Sequence, residues 1–150
     1  MGKLYFAFIF FAVVFSGKLF AQCDNCDVNN PVGTFSVNVD DTLVVGTCVS
    51  GGDYSYYNVV AGYTYVWSTC GDTDFDTELT LYSGSGCSGS LLGYNDDYCG
   101  DQSYISWTAT FTGVVTVLLT EKTYTLLIFP NYCETNNDCM TLSVSCYDLP

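Results

Sequence analysis

Asp72, Asp74, Asp76 and Glu78 occupy every second position of one stretch of the chain. On an extended segment such residues all project to the same side, with Phe75, Leu79 and Leu81 giving a partly apolar opposite side. Four like charges in a row repel, and a divalent cation that prefers oxygen relieves the repulsion. Calcium suits, because it accepts about six to eight oxygens in flexible geometry. A second acidic turn, Asn95-Asp96-Asp97 with Asp101, completes a site where the fold lays it beside the first. The candidate calcium ligands are therefore Asp72, Asp74, Asp76, Asp96 and Asp97. The helix-loop-helix calcium pattern does not fit, since Thr77 stands where it needs Gly and Ser83 where it needs Glu. A competing reading has Asp76 and Asp96 accepting backbone N–H bonds to hold turns while the other acids are solvated.

Catalytic chemistry has little to work with. Nucleophilic catalysis by Ser or Cys wants a base within hydrogen-bond reach, and the chain has no His. Beyond residue 21 the one strong base is Lys122. A pair of carboxylates can hydrolyse glycosides across a cleft, but among sixteen acids some pair will fall at a suitable spacing by chance. Catalytic residues are therefore not assigned. Exposed aromatics are the better lead, since they bind sugars by stacking and dominate protein interfaces. Tyr54, Tyr56 and Tyr57 form one cluster and Tyr94 and Tyr98 another. Against this, β-sheets favour tyrosine in any case. Thr42, in Asp41-Thr42-Leu43, is a candidate for O-linked glycosylation.

The elements that must position these residues begin after an export signal. Lys3 precedes an apolar run from Leu4 to Phe15, followed by Ser16 to Ala21, which is the layout of a cleavable signal peptide. A membrane span needs roughly 18 or more apolar residues, and this run is shorter and is interrupted by Lys18. Cleavage after Ala21 leaves Gln22 at the new N-terminus. Lipid attachment at Cys23 wants a small residue immediately before the cysteine, and Gln22 is not one. The division expected is a signal peptide over 1–21 and a single domain over 22–150. Without Lys3 and Lys18 the charge becomes about −15, a surface that repels nucleic acid and anionic lipid. Cations, neutral sugars and basic proteins remain as partners.

All nine cysteines lie beyond the signal, and an exported chain meets an oxidising compartment, so disulfides are expected. Cys23 and Cys26 have zinc-like spacing, but no second close pair or His completes a tetrahedral set. The short spacer between Cys133 and Cys139 points to a bond between them. Cys48 with Cys146 is a second proposal. Cys70 with Cys99 is a third, because both flank the acidic motifs, with Cys87 competing for Cys99. An odd count leaves one thiol free or paired outside the chain.

Runs rich in Val, Tyr, Thr, Trp and Phe recur between Gly, Asn, Asp and Ser clusters, and no apolar stripe of helical period persists beyond residue 21. Strands are expected near 34–39, 42–49, 54–60, 63–69, 77–83, 90–94, 103–111, 114–120, 123–129 and 140–147. Ile105, Trp107, Ala109 and Phe111 share one face. Val115, Val117 and Leu119 make a second, with Thr116 opposite. Met140, Leu142, Val144 and Cys146 make a third, while Thr141, Ser143 and Ser145 point to water. Half-apolar strands joined by turns predict an all-β fold, a two-sheet antiparallel β-sandwich of jelly-roll or immunoglobulin-like kind, stapled by disulfides. Tyr124 to Phe129 is apolar on both faces and reads as a central strand or a hydrophobic edge.

Gly62-Tyr63-Thr64-Tyr65, Phe75 to Tyr82, Asn95 to Gly100 and Ser103 to Trp107, in that order, resemble the bacterial pre-peptidase C-terminal type of β-sandwich, in its cysteine-rich Bacteroidetes form. The stretch from Cys133 through Cys139-Met140-Thr141 to Cys146 is similar to the closing segment of related domains repeated in large surface proteins. The resemblance spans roughly 48–147 and brings no catalytic residues. It implies a non-catalytic accessory or adhesion-type domain of a secreted or cell-surface protein, with a glycan or protein surface as partner. A structural subunit that self-associates into a fibre through an edge such as Tyr124 to Phe129 and an unpaired thiol is the alternative, and a small secreted hydrolase is the second. No nucleic acid and no stable membrane span are expected.

Overall fold

The computed structural model describes residues 26, 31–71, 75–123, 132–134 and 138–149. The expected signal segment, Asp72, Asp74 and the run from Tyr124 to Phe129 lie outside them. The described residues contain ten strands and no helix: β1 (Pro31–Ser36), β2 (Asp41–Val49), β3 (Tyr54–Val59), β4 (Thr64–Ser68), β5 (Thr77–Ser83), β6 (Leu91–Asn95), β7 (Tyr104–Thr108), β8 (Gly113–Thr123), β9 (Tyr132–Glu134) and β10 (Met140–Tyr147). One sheet runs β1-β3-β8-β5-β6 with β9 on the end of β8, and the other runs β2-β10-β4-β7.

The two sheets face each other across one core, as the alternation of apolar and hydroxyl residues requires. Trp67 on β4 is fully buried at its centre, edge-on to Tyr57 of β3 at 5.4 Å and stacked with Tyr65 at 6.0 Å. Leu79, Leu81, Val115, Val117 and Leu119 line one wall, and Ile105, Met140, Leu142, Val144 and Cys146 line the other. β7 stops at Thr108, short of the expected strand end, yet Ala109 and Phe111 still reach the core from the turn that follows.

The sheets are not wholly antiparallel, because β1 pairs with β3 in parallel. The chain leaves β1, crosses to the second sheet as β2 and returns as β3, so two reversals restore the original direction.

The outer face of the β5–β8 pair is also closed to water. Thr80, Thr116 and Leu118 are each 0% exposed and Glu78 is 1% exposed. The turn after β5 folds over this face: Gly86 N–H donates to Thr116 Oγ1 at 2.9 Å, and Thr116 Oγ1 donates to the Gly84 carbonyl at 2.7 Å. A disulfide between Cys26 and Cys87 pins that turn.

Two of the three pairings expected from sequence are corrected. Cys139 bonds Cys48, not Cys133. Met140 lies opposite Val49 where β10 runs antiparallel to β2, which brings position 139 beside position 48. Cys133 sits on β9, paired with β8 in the other sheet. Cys146 cannot reach Cys48, since it lies opposite Asp41 at the far end of β2. The third bridge joins Cys70 to Cys99 with a Cα–Cα distance of 5.9 Å. Among the described residues Cys146 is the free cysteine, buried in the core, where burial pushes its thiol up from the ordinary value. A buried thiol is poorly placed to join copies of the chain.

Candidate functional site

The start of β5, the loop after β6 and the end of β8 meet at one corner of the first sheet. Their convergence rests on a buried hydroxyl cluster. Thr69 and Thr77 share a hydrogen bond of 2.8 Å, and Ser103 N–H donates to both of their Oγ1 atoms at 3.0 Å. Ser103 Oγ donates to the carbonyls of Thr77 and Asn95, at 2.6 and 3.0 Å. Thr77 N–H donates to the Asp101 carbonyl at 2.8 Å and Lys122 N–H to the Asp76 carbonyl at 3.0 Å. The Cys70–Cys99 bridge ties the loop before β5 covalently to the loop after β6. Within the second loop, the N–H groups of Tyr98 and Cys99 both donate to the Gln102 carbonyl at 3.0 Å, and the tight turn places Gly100 at φ 83°, a conformation that suits glycine.

This scaffold gathers acids. Asp76, Asp97 and Asp101 present carboxylate oxygens within 4.8 Å of one another. Asp76 Oδ1 is buried without a hydrogen-bond partner, so this side chain does not hold its turn through that oxygen. Asp96 turns instead to Lys122, whose ammonium binds Asp96 Oδ2 and lies 3.7 Å from Asp97 Oδ2. Of the five candidate ligands, Asp76 and Asp97 come together with Asp101, while Asp96 is engaged by the amine. Asp72 and Asp74 fall outside the described residues. Behind the cluster, Glu78 accepts from the Tyr94 hydroxyl at 3.1 Å. Burial, followed by the charges of Glu78 and Asp96, drives the Tyr94 phenol strongly upward.

Burial together with the charges of Asp97, Asp96 and Asp101 raises the Asp76 carboxyl from 3.8 to about 6, against the opposing pull of Lys122. The native state therefore keeps a proton that the unfolded chain releases between roughly pH 4 and 6. Asp76 lowers stability as pH rises through that window. Asp76→Asn should raise the melting temperature at pH 7 in the presence of a chelator and leave it nearly unchanged at pH 4. Melts of both proteins across this range test the point, and a variant less stable at pH 7 would show that the carboxylate has a favourable partner.

Beside the acids lies an aromatic patch. Tyr98 is 63% exposed, and its ring stacks on Tyr104 of β7 with centroids 4.5 Å apart and planes 19° apart. Burial raises the Tyr104 phenol, and the phenols of Tyr98 and Tyr147 add to the shift. The expected cluster at Tyr54, Tyr56 and Tyr57 divides: Tyr57 is core, and Tyr54 and Tyr56 pack edge-on at 5.7 Å on the other face of β3. Thr42 is exposed, with its Oγ1 sharing a hydrogen bond of 2.8 Å with Ser145.

The model of a family described as a domain of unknown function, DUF8695, matches residues 44–146. The chain belongs to that family. The DUF8695 match takes in the whole acidic corner, the tyrosine patch and both the Cys48–Cys139 and Cys70–Cys99 bridges, while Cys26 precedes it. No curated protein matches the chain. Among solved structures, it is similar to the pre-peptidase C-terminal domain of collagenase from Bacillus anthracis at 15% identity and a TM-score of 0.48, covering 79% of this chain and 98% of that one. It is also similar to PliG of Aeromonas hydrophila, a periplasmic lysozyme inhibitor of g-type lysozyme. Identity there is 15% and the TM-score 0.48, covering 78% of this chain and 99% of that one. No helix among the described residues is long and apolar enough to cross a membrane.

Proposed function

We propose that this DUF8695 chain is a non-catalytic binding domain of a secreted or cell-surface protein, of the accessory or adhesion type. The observation that carries the reading is the Tyr98–Tyr104 stack. A large aromatic surface stands open on a loop fixed by a disulfide and a buried hydrogen-bond cluster. Holding an aromatic anchor rigid before contact reduces the entropy lost on binding. The disulfides suit an exported domain, and the sequence resemblance to pre-peptidase C-terminal accessory domains of Bacteroidetes agrees with it. Calcium is the cation that the corner would take, through Asp76, Asp97 and Asp101; these hard oxygen donors suit it, although Lys122 already answers part of the charge.

Immobilised mature protein, screened against glycans and against surface and secreted proteins, tests the proposal. Saturable binding that Tyr98→Ala weakens is expected. Ordered polymers by negative-stain microscopy, with no saturable ligand, would favour the structural-subunit alternative instead.

A further inference from the structure

We infer that the Tyr98–Tyr104 patch docks a cationic partner, an arginine-bearing segment of a basic protein. The inference rests on the binding-domain reading and names the chemistry of its ligand. Two independent features point the same way. The first is the shape of the aromatic surface. Because Tyr98 and Tyr104 stack on each other at 4.5 Å and 19°, one face of each ring is covered by the other, and Tyr98, at 63% exposure, is the ring left to a ligand in place of separate platforms spaced for successive sugar rings. A guanidinium is planar and stacks on one such face, attracted by the negative potential of the ring. The second is charge. Asp97 immediately precedes Tyr98 and Asp101 follows three residues later, and both are exposed. The whole chain carries a net charge of −13, which steers cationic partners toward the surface and repels anionic ones. Lys122 is committed to Asp96 and approaches Asp97, which leaves exposed Asp101, on the same loop as Tyr98, as the carboxylate offered to a guanidinium.

The loop is built to hold this geometry. The Cys70–Cys99 bridge adjoins Tyr98, and the Gln102 carbonyl receives the N–H groups of both Tyr98 and Cys99. Little ordering is then left for the moment of contact, because the ring is already held against its neighbour.

The test is titration calorimetry of the mature, disulfide-intact protein at physiological ionic strength. A chelator is included because calcium at Asp97 and Asp101 would compete. The probes are hexa-arginine, hexa-lysine and neutral oligosaccharides of similar length. Hexa-arginine should bind more tightly than hexa-lysine. Tyr98→Ala should weaken arginine binding roughly three- to tenfold, while Tyr98→Phe, which keeps the ring, should stay within about twofold. Asp101→Asn should weaken it and flatten its salt dependence. Because Tyr98 is exposed, its two variants should melt like the parent, and that is checked first, whereas Asp101→Asn should melt no lower because it removes a like charge beside Asp76 and Asp97. Equal affinity of Tyr98→Ala and parent for hexa-arginine would overturn the inference, leaving only attraction by overall charge. A neutral oligosaccharide that binds through Tyr98 while hexa-arginine does not would overturn it but keep the binding-domain reading. Failure of every probe here, together with failure of the wider screen, would overturn both.

Discussion

Replacing Cys48 and Cys139 with alanine should lower the unfolding free energy by about 4.5 kcal/mol, the largest loss expected among the three bridges of the described residues. The bridge closes a separation of 91 residues, against 29 for Cys70–Cys99. Chain-entropy reasoning gives about 4.5 kcal/mol for the longer loop and about 3.5 kcal/mol for the shorter. Cys48 is exposed, so its truncation removes little packing. Cys139 stands beside the end of β10, where the register places Met140 opposite Val49. Loss of the bridge should therefore free the β2–β10 ends while the Trp67-centred core remains. Urea denaturation of the two double-alanine variants, each compared with the parent, measures the ranking. A larger loss for Cys70 and Cys99 than for Cys48 and Cys139 would mean that the acidic corner depends on its covalent tie beyond what loop closure explains.

The second large effect is expected from calcium. If calcium binds Asp76, Asp97 and Asp101 in the folded state alone, a hundredfold excess over the dissociation constant should add about 2.7 kcal/mol by mass action. Any salt relieves repulsion in a chain of net charge −13, so the comparison must use sodium and magnesium at matched ionic strength. Magnesium should do less, because it demands a tighter octahedron and releases water reluctantly. Asp76→Asn should abolish the calcium response while keeping the general salt response. The same substitution stabilises the protein in chelator, so the two curves should cross as calcium is added. Lys122→Met should steepen the response, since it removes the ammonium that now answers Asp96 and Asp97. Equal stabilisation by all three cations would leave the corner as a charged edge balanced by its lysine.

Much of the fold was legible in the residues alone. Period-two alternation in Val115-Val117-Leu119 and Met140-Leu142-Val144-Cys146 named the core faces, because a strand's side chains alternate whatever lies across from them. The ranges 77–83 and 140–147 match β5 and β10 to the residue. The lack of His and the scarcity of bases turned the reading away from common catalytic dyads, and a count of side chains suffices for that. Asp76, Asp97, Asp101 and Tyr98 were all visible as types in a pattern.

Tertiary structure decided what depends on register and on which strands face each other. Disulfide partners are the clearest case. A short spacer suggested Cys133 with Cys139, but the antiparallel register of β10 on β2 sets 139 beside 48, and nothing local to either cysteine encodes that register. Lys122 was conspicuous as the one strong base beyond residue 21, yet its place on Asp96 follows from β8 running alongside β5. The cluster of Thr69, Thr77 and Ser103 that assembles the corner left no sequence signal, because threonine and serine are common throughout this chain and only their meeting distinguishes them. The outward look of Thr116 likewise ended in burial once the turn at Gly84 and Gly86 closed over it. Alternation along a strand says which side a residue takes, and long-range packing alone says whether that side meets water.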